Sequence, residues 1–167
     1  MRRAAHEGLS PSAARNFWPS QEKEAVLLVN GMLAENLEWQ NEVNRATFSM
    51  TAGYVYDLPT IESAHDPIIH RGNDFIGRIV RSGFPGAHFV EFFTWMKYLP
   101  SWMAKWKRDA EYWFHSDGEY YGELYKGVEK RLEAGDERIC FTSILHQDAK
   151  HTGINYIEKV WLAATIL

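Results

Sequence analysis

Histidines are common metal ligands and proton-transfer groups, and in this chain two pairs of them are spaced so that the members do not share a helical face. The histidine pairs are His65 with His70 and His146 with His151. A separation of five residues puts the members of each pair on different faces of a helix, which does not suit a metal site. Glu119 and Glu123 do share a face at i, i+4, a spacing that is common on a solvated helix surface. We therefore predict surface or loop histidines and a solvated pair of glutamates.

The single cysteine, Cys140, allows neither an intramolecular disulfide nor a cysteine-based metal cluster within one chain. It follows Arg138 at the arginine-x-cysteine spacing of a haem-ligating loop. Compared with such a loop, Gly135 is one residue too far from the arginine, and Thr142 stands where glycine is expected. We interpret Cys140 as a packing or loop residue and predict no metal ligand here.

Residues 87–114 form the most aromatic stretch of the chain. Its ten aromatic residues are Phe89, Phe92, Phe93, Trp95, Tyr98, Trp102, Trp106, Tyr112, Trp113 and Phe114. Pro100 interrupts the run, which predicts a short amphipathic helix, a turn at 99–101 and a longer helix capped by Ser101. Apolar residues at helical spacing favour two core helices that meet at a corner. Lysines between the rings leave open another interpretation, a lid over an apolar cavity or a patch on a membrane surface.

Length and composition narrow the function classes. A chain of 167 residues suits one domain, and 18 basic against 22 acidic residues lack the basic excess typical of nucleic-acid binders. Seven tryptophans and an aromatic share of 14% indicate a large apolar cavity or interface. The apolar runs are shorter than the roughly 20 residues that span a bilayer, so any membrane contact of these residues is expected to be peripheral.

Helical patterns extend along the chain, and none of the segments is a convincing strand, so the predicted fold class is all-α. The predicted helices cover 20–33, about 36–54, 66–83, 102–134, 143–146 and 154–167. Ser20 and Asn36 are predicted caps, and Asp66 with Pro67 marks a third helix start. The first of these helices carries an apolar stripe of Ala25, Val26, Val29, Met32 and Leu33. Gly135 is expected to end the long fourth helix.

At both ends of the chain the helical pattern is incomplete. Met1 lies within a basic helical pattern, and the apolar face of the last helix continues to Leu167. We therefore expect residues 1–167 to be a single domain truncated at both ends, with the reading frame continuing beyond them.

Four segments, in order, resemble a fungal cytochrome P450 of the microsomal type. They are RRAAHEGLSPSAARNFWPSQEKEA, HDPIIHRGNDF, FFTWMKYLPSWM and INYIEKVWLAATIL. The resemblance implies a partial P450 fold that runs from the end of helix C through helices D, E, F, G and H to the start of helix I. It also implies that the region with the haem-ligating cysteine is missing from this chain.

The resemblance carries expectations for individual residues. Arg2 matches the helix C arginine that contacts a haem propionate, a charge-assisted interaction. Six residues fall where the family roofs its substrate pocket: Phe75, Ile76, Ile79, Val80, Phe84 and Phe89. The expected cofactor is haem, which this chain alone is not expected to retain because the axial cysteine is absent from it.

The resemblance also implies an activity and partners. The full-length form is expected to insert one oxygen atom of O2 into an apolar substrate, with electrons from an NADPH-cytochrome reductase. It is expected at the cytosolic face of the endoplasmic reticulum membrane, with peripheral contact through residues 84–106 and no nucleic-acid partner. The alternative is a non-catalytic α-helical protein that binds a lipid or a partner through the aromatic stretch.

Overall fold

The computed structural model describes residues 9–33, 38–136 and 138–167, with the side chains of 11, 12 and 148–152 left out. Within these residues the chain is helical and contains no strand, which confirms the predicted all-α class. The helices are α1 (Pro11–Arg15), α2 (Trp18–Met32), α3 (Trp39–Tyr56), α4 (Pro67–Gly83), α5 (Lys105–Glu133), α6 (Phe141–Thr152) and α7 (Tyr156–Ile166). Two short 3₁₀ turns, Phe89–Glu91 and Thr94–Tyr98, lie between α4 and α5.

The main core forms where the second half of α5 packs against α3, α6 and α7. Its buried members are Val55, Tyr56, Phe75, Tyr121, Tyr125, Val128, Cys140, Phe141, Leu145, Val160, Ala163 and Ala164. The ring of Phe75 brings α4 into this core, with its centroid 4.9 Å from that of Tyr121. At Gly72 the same helix passes so close to Phe48 of α3 that a Cβ atom would collide with the ring. The long helix α5 is therefore the element on which the others are assembled.

The predicted boundaries of α4 are confirmed. Asp66 Oδ1 accepts the N–H of Ile68 at 2.9 Å, and Pro67 occupies the first helical position. The helix ends at Gly83 as expected. Local capping chemistry is sufficient to define this element.

Helix α5 is shorter at its start than predicted. Ser101 is not its cap, because the helix begins at Lys105 after Ala104, which makes no side-chain capping bond. The Ser101 hydroxyl instead donates to Glu111 Oε1 at 3.0 Å. At the other end Gly135 has a φ of +85° and the turn closes there, as predicted.

The face of α2 that is buried differs from the predicted one. Its apolar stripe faces solvent, with Leu33 after its last turn 79% exposed, whereas Glu24 is 2% exposed. The helix begins at Trp18 and Ser20 does not cap it, while the predicted cap Asn36 lies outside the described residues. Buried hydrogen bonds of Glu24, not its apolar residues, set the inward face of this helix.

An arginine at the centre of α3 explains why Glu24 is buried. Arg45 Nη1 donates to Glu24 Oε2 at 3.2 Å and to the carbonyl of Ile61 at 2.8 Å, and its Nε donates to Glu42 at 3.0 Å. Ser49 donates to Glu24 Oε1 at 2.6 Å and accepts the N–H of Ile61 at 2.9 Å. This network joins α2, α3 and the connection before α4.

Replacing Arg45 with leucine should lower the free energy of unfolding by about 3 kcal/mol, because the Glu24 carboxylate would stay buried without its cation. Denaturant titration of the 167-residue chain measures this change. The matched control is Arg138→Leu, whose more exposed pairs with Asp57 and Asp136 are expected to contribute much less to the free energy of unfolding. Equal losses in the two variants would contradict a central role for the buried pair.

Candidate functional site

The aromatic stretch is exposed, so the interpretation of two core helices meeting at a corner is wrong. Tyr98 is 80% exposed, and the other exposed aromatic residues of the stretch are Phe89, Phe92, Phe93, Trp95, Trp102, Tyr112 and Phe114. The two 3₁₀ turns are too short to form a continuous apolar face. The position of the stretch agrees with the interpretation of a lid, because the stretch lies along the edge of an apolar cavity.

Basic side chains of α5 hold the aromatic segment, residues 84–106, in place. Lys107 Nζ donates to the carbonyls of Lys97 and Leu99 at 2.8 and 2.9 Å. Arg108 Nη1 donates to the carbonyls of Ser101 and Trp102 at 3.0 and 2.7 Å. The segment is thus fixed by its backbone, which leaves its rings free to face the cavity or the solvent.

The cavity has a volume of about 1020 Å³ and lies between the end of α4, the aromatic segment and the start of α5. Trp161 of α7 closes one side. Its apolar lining is formed by Phe75, Ile79, Ala87, Phe89, Met96, Leu99, Met103, Ala104, Trp106, Ala110, Trp113, Phe114 and Trp161. A concave, mostly apolar space of this size is typical of a small-molecule site.

Three of the six predicted pocket residues, Phe75, Ile79 and Phe89, line this cavity. Phe75 and Ile79 are four residues apart and share one face of α4. The other three, Ile76, Val80 and Phe84, are exposed and do not line it. Contact with a substrate stays a prediction for all six.

The sequence reasoning missed the ionic group beside this cavity. Asp117 is almost fully buried, and its two oxygens accept from Arg78 Nη2 at 2.8 and 2.7 Å. Arg71 Nη2 donates to the same carboxylate at 3.1 Å. The Arg78 guanidinium lies 3.8 Å from the centroid of the Trp113 ring, a cation–π contact. The signal in the sequence is the spacing of Arg71 and Arg78, which are seven residues apart on the face of α4 that also carries Phe75.

Cys140 is fully buried at the start of α6. Its Sγ accepts the N–H of Ser143 at 3.4 Å, and Ser143 Oγ accepts the N–H of Cys140 at 2.9 Å. Burial raises the pKa of the thiol, so the thiolate that would bind iron is disfavoured. The packing interpretation of Cys140 is confirmed, and this residue does not fit the role of a haem ligand.

The other candidate ligands are not gathered into a metal site. His65, His70, Glu119 and Glu123 are exposed, as predicted. His146 Nδ1 lies 3.2 Å from Glu129 Oε1, and the side chain of His151 is not described. Among the described residues, no group of three histidine, cysteine or acidic side chains could hold a metal.

Two further features bear on the site. Arg2, the predicted haem-propionate contact, lies outside the described residues. In the described parts of the chain, no helix is long and apolar enough to cross a membrane.

The described residues form an all-helical fold with a mostly apolar cavity. Among curated proteins, the chain is 45% identical to a cytochrome P450 monooxygenase of Armillaria gallica over 99% of its own length and 32% of the relative. It is 37% identical to cytochrome P450 monooxygenase 58 of Postia placenta over its whole length and 32% of that protein. A cytochrome P450 monooxygenase of Amanita muscaria, iboC, is 29% identical over the whole chain.

The chain is therefore a homologue of fungal cytochrome P450 monooxygenases, and the predicted resemblance is confirmed. It spans about a third of the length of the curated relatives it matches. No family model matches the chain. No solved structure matches it.

In native protein at mildly alkaline pH, Cys140 should react with iodoacetamide about a hundredfold more slowly than in denaturant, because the thiol is buried and its raised pKa keeps it protonated. Mass spectrometry of the alkylated chain measures the rate. The control is Ile139→Cys combined with Cys140→Ser, which moves the thiol to the neighbouring exposed position and should react quickly. Rapid labelling of native Cys140 would show that it is accessible after all.

Proposed function

We propose that this chain forms the substrate-facing wall and lid of a fungal cytochrome P450 monooxygenase. The complete enzyme would insert one oxygen atom of O2 into an apolar organic substrate. The observation that carries the proposal is the apolar cavity of about 1020 Å³ beside the aromatic segment. The reaction class comes from relatives named as monooxygenases.

In this proposal the described residues supply binding and shelter from water, and iron is ligated elsewhere. Cys140 is unsuitable because it is packed inside the main core with no exposed surface and does not line the cavity. Haem and an NADPH-cytochrome reductase are partners of the complete enzyme, and Arg2 would contact a haem propionate there. The 167-residue chain alone is expected to retain no haem and to have no turnover.

The aromatic segment, residues 84–106, would also rest on a membrane surface. Its exposed rings alternate with Lys97 and Lys105, a combination suited to the interface between lipid headgroups and water. This contact would place the enzyme at the cytosolic face of the endoplasmic reticulum membrane. The same rings favour the alternative function, a non-catalytic α-helical protein that binds lipid or a partner.

The cavity can be tested with N-phenyl-1-naphthylamine, an uncharged apolar fluorophore. Ile79→Asn should weaken its binding roughly fivefold, because a polar side chain would replace apolar lining. The matched control is Val80→Asn, since Val80 is 51% exposed against 53% for Ile79 but does not line the cavity. Fluorescence titration measures both affinities.

The result that contradicts the cavity proposal is equal binding by the two variants. If the affinity for the fluorophore is unchanged in Ile79→Asn and the chain still binds lipid, the alternative lipid-binding function is favoured.

Co-sedimentation with phosphatidylcholine vesicles tests the membrane contact. Replacing Phe92, Phe93 and Trp95 together with serine should lower vesicle partitioning more than about tenfold, because three exposed rings are lost. The control triple replaces Val26, Val29 and Leu33 with serine, which removes exposed apolar residues at α2 instead. A similar loss in both triples would indicate general hydrophobic adhesion and not contact through the aromatic segment.

A further inference from the structure

The cavity is apolar in most of its lining but carries a cluster of charges. The charged residues that line it are Arg78, Arg81, Lys105, Asp109 and Asp117. Cations therefore outnumber carboxylates in the wall of an otherwise apolar space. The whole chain has a net charge of −4, so this excess is local.

Asp117 cannot neutralise the cations around it. Both its oxygens accept from Arg78 Nη2, and Oδ1 also accepts from Arg71 at 3.1 Å. One carboxylate is thus shared by two guanidinium groups, which leaves one positive charge in excess. In the described part of the chain, Nε and Nη1 of Arg78 have no protein acceptor. The ring of Trp113 fixes the plane of the Arg78 guanidinium.

Arg81 adds a second available cation. Its Nε donates to the carbonyl of Gly77 at 2.9 Å, and no carboxylate of the described residues lies within ion-pair distance of its guanidinium. Arg78 and Arg81 are three residues apart on α4, so their side chains are neighbours on the helix surface. A guanidinium presents parallel N–H donors that match the two oxygens of a carboxylate.

We propose that the cavity takes an apolar molecule that bears a carboxylate. The anion lies against Arg78 and Arg81, and the hydrocarbon part lies along Phe75, Ile79 and Trp106. This inference rests on the proposed small-molecule function of the cavity and adds the chemical class of the ligand. The buried ion pair with Asp117 then acts as a support that holds Arg78 in position for the ligand.

The test compares dodecanoate with its methyl ester, two probes with the same hydrocarbon chain and different charge. Calorimetric titration of the 167-residue chain below the micellar concentration should give at least roughly fivefold tighter binding of dodecanoate, since charge-assisted bonds to arginine add to the apolar contact. In Arg81→Gln this preference should fall to about twofold or less. Among the described residues, Arg81 makes hydrogen bonds only within its own helix, so its replacement leaves the packing of α4 intact.

Arg15→Gln is the matched control, because it removes one exposed arginine of α1 that does not line the cavity. It should retain the full preference for dodecanoate. Equal affinity for both probes in the unmodified chain, or a preference that survives Arg81→Gln, overturns the inference and leaves the apolar cavity in place. Failure of both probes to bind overturns the proposed small-molecule function together with the inference.

Discussion

The ion pair centred on Asp117 is the interaction on which the rest of the site depends. It joins α4, through Arg71 and Arg78, to the first half of α5, and the cavity lies beside this junction. A buried carboxylate without partners would be strongly unfavourable, but two guanidinium groups and the stacking of Arg78 on Trp113 offset that cost. Long arginine side chains bridge the two helices there, so apolar space remains beside them. Farther along α5, Tyr121 meets Phe75 and the core closes.

Local signals predicted the elements that local chemistry controls. The cap at Asp66, the proline that follows it and the glycine after α5 each fix one backbone position, so the boundaries of α4 and the end of α5 were confirmed. Periodicity was less informative about orientation. It identified α2 as amphipathic but did not show which face would be buried, because Glu24 is held by Arg45, 21 positions away in the sequence. The Ser101 cap was wrong because the helix begins only at Lys105, and the Ser101 hydroxyl instead donates a hydrogen bond to Glu111.

The site was predictable in part. Phe75 and Ile79 line the cavity because the packing of Phe75 on Tyr121 fixes the rotation of α4, and residues four apart then share a face. Ile76 and Val80 belong to the neighbouring face, and that rotation comes from tertiary contacts that the sequence pattern does not contain. The aromatic stretch was misassigned to the core because its composition suggested helices, whereas Pro100 and the two 3₁₀ turns break the helical spacing. The ionic group was missed because its members come from two helices.

We infer that these residues form the substrate-facing part of a cytochrome P450. The most direct test is a chimera in which this chain replaces the corresponding third of the relative that is 45% identical to it. The chimera should incorporate haem with a thiolate-type Soret band, and an apolar ligand should perturb this band in the chimera but much less in its Ile79→Asn form. A folded chimera without haem, or a ligand-induced spectral change of the same affinity in both forms, would contradict this inference.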